Sequence, residues 1–116
     1  MTNSKKKGNR YEWEIAHRLN ATIDDCRFVR QDEGAADHRE GIDLVQVEGP
    51  DIQLAIQCHV AKRPDVWRKL EKLKKDVQPG ELPLLFVKRT QHAGNPGHEV
   101  VMIPTDEFMG RAKYWL

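Results

Sequence analysis

The sequence is short of cysteine, of aromatic residues and of long apolar runs, and each shortage closes off a class of protein. Only Cys26 and Cys58 occur in 116 residues, and no export signal precedes them, so free thiols in a reducing, cytoplasmic compartment are expected rather than a disulfide scaffold. No apolar run approaches the roughly 20 residues that a bilayer requires, and the basic opening Met1 to Lys7 has no apolar stretch behind it. No membrane association is expected. Hydrophobic residues make up 39% of the chain and charged residues 32%, which suits a single domain over residues 1–116 with one thin core. Such a domain often covers its remaining apolar surface by dimerising, and a homodimer is expected.

A formal net charge of +1 lacks the global signature of a nucleic-acid binder, but the distribution carries more than the sum. Lys5, Lys6, Lys7 and Arg10 open the chain. Residues 62–75 hold Lys62, Arg63, Arg68, Lys69, Lys72, Lys74 and Lys75 against Asp65 and Glu71. Between these blocks, residues 24–51 are rich in Asp and Glu, with Arg27, Arg30 and Arg39 as the only basic residues. Basic flanks around an acidic centre fit a phosphate-binding rim around a cation site, although solvated faces alone give the same pattern.

Periodicity orders the chain as helix, three strands, helix, two strands, helix: an α/β fold with a mixed central sheet flanked by helices. A first helix is expected over about residues 5–20, with Glu12, Ile15, Ala16 and Leu19 on one stripe. A carboxylate heading an apolar stripe needs a partner. A strand over 26–30 is followed by a polar loop to about residue 40. Gly41 to Val47 and Ile52 to Val60 form a hairpin signal around Gly49-Pro50. A second helix is expected over 64–77, with Pro64 in its first turn. A doubly buried strand over 82–88, a loop over 90–98, a strand over 99–103 and a helix capped by Thr105 complete the order. That helix carries Phe108, Met109, Tyr114 and Trp115. Trp13 is assigned to core packing, and Trp67 to the core or to a dimer contact.

The hairpin permits a register argument. Pairing symmetrically about Pro50 sets Asp43 opposite Gln57. Strand alternation then gathers Asp43, Gln57 and His59 on one face, while Ile52, Leu54, Ile56, Cys58 and Val60 take the other. Two carboxylates, an amide oxygen, a backbone carbonyl and waters suit an octahedral Mg²⁺ or Mn²⁺ ion, which assists attack on a phosphodiester. Cys26, Cys58, His38 and His59 lack the spacing of a zinc site.

Lys7-Gly8-Asn9-Arg10-Tyr11-Glu12, Gly41-Ile42-Asp43-Leu44-Val45 and Ile56-Gln57-Cys58-His59-Val60 together resemble the motifs of the PD-(D/E)XK nuclease superfamily, and within it the archaeal and phage Holliday junction resolvases. The resemblance spans nearly the whole chain in element order, through short motifs. It implies a restriction-endonuclease-like αβββαβ core and a homodimeric, Mg²⁺- or Mn²⁺-dependent endonuclease acting on branched DNA, four-way junctions above all, and possible phage origin. Glu12, Asp43, Gln57 and the Cys58 carbonyl are implied as metal ligands. Gln57 replaces the family's second acidic residue and keeps an oxygen. His59 replaces its lysine and is assigned to the water or the phosphate, or to the metal itself. Lys5, Lys6, Lys7, Arg10, Arg30, Gln31, Lys62 and Arg63 are assigned to DNA contacts. The competing expectations are a catalytically silent DNA-binding protein on the same scaffold, and a nuclease of repair, restriction or phage DNA processing.

Overall fold

Strand alternation and helical periodicity resolve, in a computed structural model of the chain, into the elements α1 (Asn3–Thr22), β1 (Arg27–Arg30), β2 (Leu44–Glu48), β3 (Gln53–Ala61), α2 (Val66–Asp76), β4 (Glu81–Arg89), β5 (His98–Met102) and α3 (Thr105–Trp115). The structure describes residues 3–31, 39–49, 52–91, 94 and 97–115, and the side chains of 3–7 and 115 lie outside the description. The hairpin tip at Pro50, most of the loop expected after residue 31, and His38 likewise fall outside the described residues.

The five strands form one sheet in the order β1-β2-β3-β4-β5. Only β3 and β4 run parallel, as a strand–helix–strand crossover through α2 requires; the other neighbours are antiparallel. The fold is therefore α/β with a mixed five-stranded sheet and the predicted αβββαβ order. Leu44 lies opposite Ile56, which is the hairpin register derived from the sequence.

Alternation along β3 and β4 splits the core into two layers. Tyr11, Ile15 and Ala16 of α1 pack with Phe28, Leu44, Ile56, Leu82 and Leu84, supported by Leu54, Cys58 and Val60. On the other face Leu73 of α2 packs with Ile42, Ala55, Leu85 and Val87, supported by Val66 and Leu70. Each layer removes an apolar stripe from water at about 25 cal/mol per Å². β4 is buried on both faces through Leu82, Leu84, Leu85 and Val87, as its continuous apolar run indicates.

Several expectations are corrected. Trp13 is 56% exposed and Trp67 70% exposed, so neither belongs to the core. Trp13 lies across α1 from the Tyr11–Ile15 contacts, and the helix has one buried stripe only. β2 starts at Leu44 rather than Gly41, because the Ile42 N–H turns back to the Arg39 carbonyl at 3.0 Å. Pro64 stands ahead of α2, whose cap is Asp65; its side chain accepts the Arg68 N–H at 3.4 Å. The Pro104 carbonyl accepts the Phe108 N–H at 3.0 Å, so Pro104 occupies the cap position of α3 and Thr105 its first turn.

Candidate functional site

Asp43 sits where the chain enters the sheet, and its neighbours hold it on three sides. Its N–H donates to the Ile56 carbonyl at 2.7 Å, and its carbonyl accepts the Gln31 N–H at 2.9 Å. Its Oδ2 accepts the Cys58 N–H at 2.8 Å. The residue is thus tied to the end of β1, to β2 and to β3 together. Burial pushes its carboxyl above the ordinary carboxylate value, against the Cys58 N–H and the positive charges of Lys69, Lys72 and Arg30.

The approach to Asp43 is built by side chains far apart in sequence. The Gln31 amide donates to the carbonyls of Arg39 (2.6 Å) and Ile42 (2.8 Å) and accepts the Arg39 N–H at 3.0 Å. Arg39 reaches the other way, forking onto Glu81 at 2.6 and 2.9 Å and donating to the Asp76 carbonyl. The Asp76 carboxylate accepts the Gly41 N–H. At Gly41 a Cβ would collide with the Lys72 carbonyl of α2, so a side chain does not fit there. Residues 39–42 are fixed by this chain of bonds rather than by strand pairing, and they lead into the backbone bonds that Asp43 makes to Ile56 and Gln31.

Glu12 arrives from α1. It lines one cleft with Asn9, Arg30, Gln31, Glu40, Ile42 and Asp43. Arg30 Nε lies 3.2 Å from Glu12 Oε1, with both side chains only 17% exposed. The Cys58 thiol is pushed well up by burial and then by the charges of Asp43 and Glu12. The helix stripe that buries Ile15 therefore delivers Glu12 to Asp43, with a cation between β1 and α1 as its partner.

The remaining predicted residues divide. Gln57 is only 4% exposed, and its Oε1 has no hydrogen-bond donor among the described residues. It neighbours Asp43 across the hairpin but does not line the cleft. Cys58 enters through its N–H. His59 is turned towards α2, where its Nε2 accepts the Asp65 N–H at 3.2 Å. That bond requires the Nε2 lone pair, hence the neutral ring. Burial, and then Lys69, hold the imidazole below its ordinary value. His59 secures the entry to α2 and is absent from the wall that Glu12 and Asp43 share.

Among the basic residues, Arg10, Lys62 and Arg63 are exposed. Gln31 is 6% exposed, with its amide committed to the protein interior; its expected DNA contact is corrected to a holding role. Lys5, Lys6 and Lys7 lie in α1, with side chains outside the description. Two groups escaped the sequence reading. Lys69 acts on both Asp43 and His59, and its place three residues before Lys72 on one face of α2 is a signal that helical spacing contains. Arg10, Tyr11, Glu14, Lys88 and Thr90 line a second cleft, in which Lys88 Nζ stands 5.8 Å from the Tyr11 ring centroid. Lys88 belongs to β4 and joins α1 only through the fold.

Among the described residues no group of three His, Cys, Asp or Glu side chains forms a metal cluster. The sequence-derived set contains two such side chains, Glu12 and Asp43, with amide and backbone oxygens beside them. Its donors are all hard oxygens, and the Gln57 oxygen, although outside the lining of the cleft, is buried without a hydrogen-bond donor among the described residues. Carboxylate, amide and carbonyl oxygens are the donor class that Mg²⁺ or Mn²⁺ takes. No protein-family model, curated protein or solved structure matches this chain. Among the described residues, no helix is long and apolar enough to cross a membrane.

Proposed function

We propose that the chain is a divalent-metal-dependent endodeoxyribonuclease of the PD-(D/E)XK type that cuts branched DNA as a homodimer. The observation that carries this reading is the meeting of Glu12 and Asp43, from the first helix and the entry to the second strand, in one cleft. Glu12, Asp43, Gln57 and the Cys58 carbonyl would hold Mg²⁺ or Mn²⁺. When bound, such an ion neutralises charge on the phosphate and lowers the pKa of water.

The chain's own residues supply the rest. Asp43 and Glu12 set the negative charge of the cleft, and the Gln31–Arg39–Glu81 chain of bonds keeps Asp43 from moving. Lys69 and Lys72 of α2 and Arg30 within the cleft are the cations that act on Asp43, and they take the charge-stabilising role that His59, held neutral, does not fill. Exposed Arg10, Lys62 and Arg63 contact phosphates. Pairing of two copies is favoured by the apolar surface of β5 and α3, where Val100, Val101, Met109 and Tyr114 are exposed. Two sites related by a two-fold axis nick symmetric strands of a four-way junction.

The position of His59 also favours a second reading, a silent DNA-binding protein on the same scaffold. Purified protein is incubated with labelled four-way junction, duplex and single strands in Mg²⁺ or Mn²⁺. Paired nicks in the junction that vanish in Asp43→Asn support the nuclease. Junction binding without cleavage in either metal selects the silent reading. Preferential cutting of linear or of damaged DNA moves the role towards restriction, repair or phage DNA processing.

A further inference from the structure

Trp13 follows Glu12 on α1, yet more than half of its surface remains in water. It forms one wall of a groove of about 340 Å³ between α1 and the edge strand β1. Ala16, His17 and Asn20 continue the helix wall, and Arg27, Phe28, Val29 and Arg30 make the strand wall. The floor is fixed. The Asn20 amide accepts the Phe28 N–H at 2.7 Å and donates to the Phe28 carbonyl at 3.1 Å, so helix and strand are pinned at this spacing.

The groove's charge has one sign. Its charged lining residues are Arg27 and Arg30, with the imidazole of His17 beside them and no Asp or Glu in the lining. Arg27 meets Glu48 at 3.6 Å and Arg30 meets Glu12 at 3.2 Å, both from outside the groove. Arg30 also lines the Glu12–Asp43 cleft, so the two depressions share this residue. An exposed indole and two arginines lining one groove are the residue types that receive a nucleobase together with its flanking phosphates. Bases of an intact duplex are stacked on one another and present no free face. The volume suits a single nucleotide rather than a folded partner.

We infer that the Trp13 groove binds an unpaired nucleotide of the DNA strand whose neighbouring phosphate occupies the Glu12–Asp43 cleft. The inference rests on the proposed DNA-cutting reading and names its substrate class: DNA with unpaired bases at or beside a branch. Trp13 stacks on the base, while Arg27 and Arg30 hold the phosphates on either side.

The test uses the full chain carrying Trp67→Phe and Trp115→Phe, which leaves Trp13 as the sole indole of the three. Fluorescence is titrated with a short oligothymidylate and with duplex DNA in EDTA, where cutting plays no part. The expected result is quenching by the single strand. In the parent background, Trp13→Ala weakens single-strand affinity about tenfold, the size of one lost base stack. Duplex affinity and the circular dichroism spectrum stay unchanged, and Trp13→Phe retains most of the binding. Unquenched fluorescence at saturating oligothymidylate overturns the inference, as does an Ala variant that binds the strand as tightly as the parent. Quenching on self-association alone, seen with protein concentration in sedimentation, also overturns it by assigning the groove to a second copy. Quenching by single strands in a protein that cuts nothing with Mg²⁺ or Mn²⁺ upholds this groove and removes only the nuclease. Junction cutting without quenching does the reverse.

Discussion

The carboxylate of Asp43 accepts the backbone N–H of Cys58 at 2.8 Å, across the hairpin that joins β2 to β3. An acid that replaces a ladder carbonyl in this way is fixed in position by the sheet itself. It is also taken out of water, and its carboxyl is raised above the ordinary value as a result. Site geometry and stability therefore oppose each other at one residue.

Asp43→Asn is expected to raise the melting temperature by a few degrees at pH 7 while removing cleavage. A carboxyl whose folded value is raised contributes stability below its unfolded value of about 3.8 and loses it as pH rises through the folded value. At neutral pH the ionised group works against folding, and asparagine relieves this while keeping an oxygen for Cys58. The gain should shrink as pH is lowered towards 4 in melts recorded with EDTA. Adding Mn²⁺ should stabilise the parent by ligand linkage and leave the variant unmoved.

Arg39→Ala is expected to cost about 2–3 kcal/mol, because it strands the Glu81 carboxylate and frees residues 39–43. Burial raises the Glu81 carboxyl, but the Arg39 fork and the Gln78 N–H outweigh it and hold Glu81 below its ordinary value. Its contribution is thus present above about 4.5 and is lost as pH falls through the lower folded value. Denaturant melts between pH 3 and 7 should show an acid-sensitive step in the parent that the variant lacks.

His59→Gln tests whether the ring secures α2 or takes part in chemistry. The folded imidazole titrates below its ordinary value of 6.5, so the parent loses stability as pH drops from 6.5 through that lower value. Glutamine still offers an oxygen to Asp65 and removes the titration, which should flatten this part of the stability profile. Cleavage at neutral pH should persist at near-parent rate. A loss of more than about a hundredfold, the scale of a general acid or base, would return His59 to the reaction.

Gly41→Ala is expected to destabilise the chain by about 1–3 kcal/mol through overpacking against α2. The added carbon meets the Lys72 carbonyl and lies 2.8 Å from the Asp76 carboxylate that holds the Gly41 N–H. Because Asp43 is two residues further on, Mn²⁺-dependent stabilisation should weaken along with the fold. A melting temperature equal to the parent's would show that the loop yields without strain.

Local pattern was sufficient for much of this. The element order, the doubly buried β4 and the hairpin register with Leu44 opposite Ile56 follow from alternation and turn residues, which act over a few positions. So does the sharing of a strand face by Gln57 and His59, since a period of two leaves no alternative once the register is set. Trp13 defeated the same reasoning. It is apolar like Tyr11 on the same helix, but α1 buries only the stripe that carries Tyr11 and Ile15 and leaves Trp13 in water.

The sequence by itself determined which side chains share a face, because backbone geometry repeats that choice every two or 3.6 residues. Tertiary structure alone decided what each face meets. It brought Glu12 to Asp43, turned His59 onto the start of α2, drew Gln31 inside and joined Arg39 to Glu81 from 42 residues away. Such pairings depend on how helices settle against the sheet. That is fixed by the packing of the entire core rather than by any short stretch of chain.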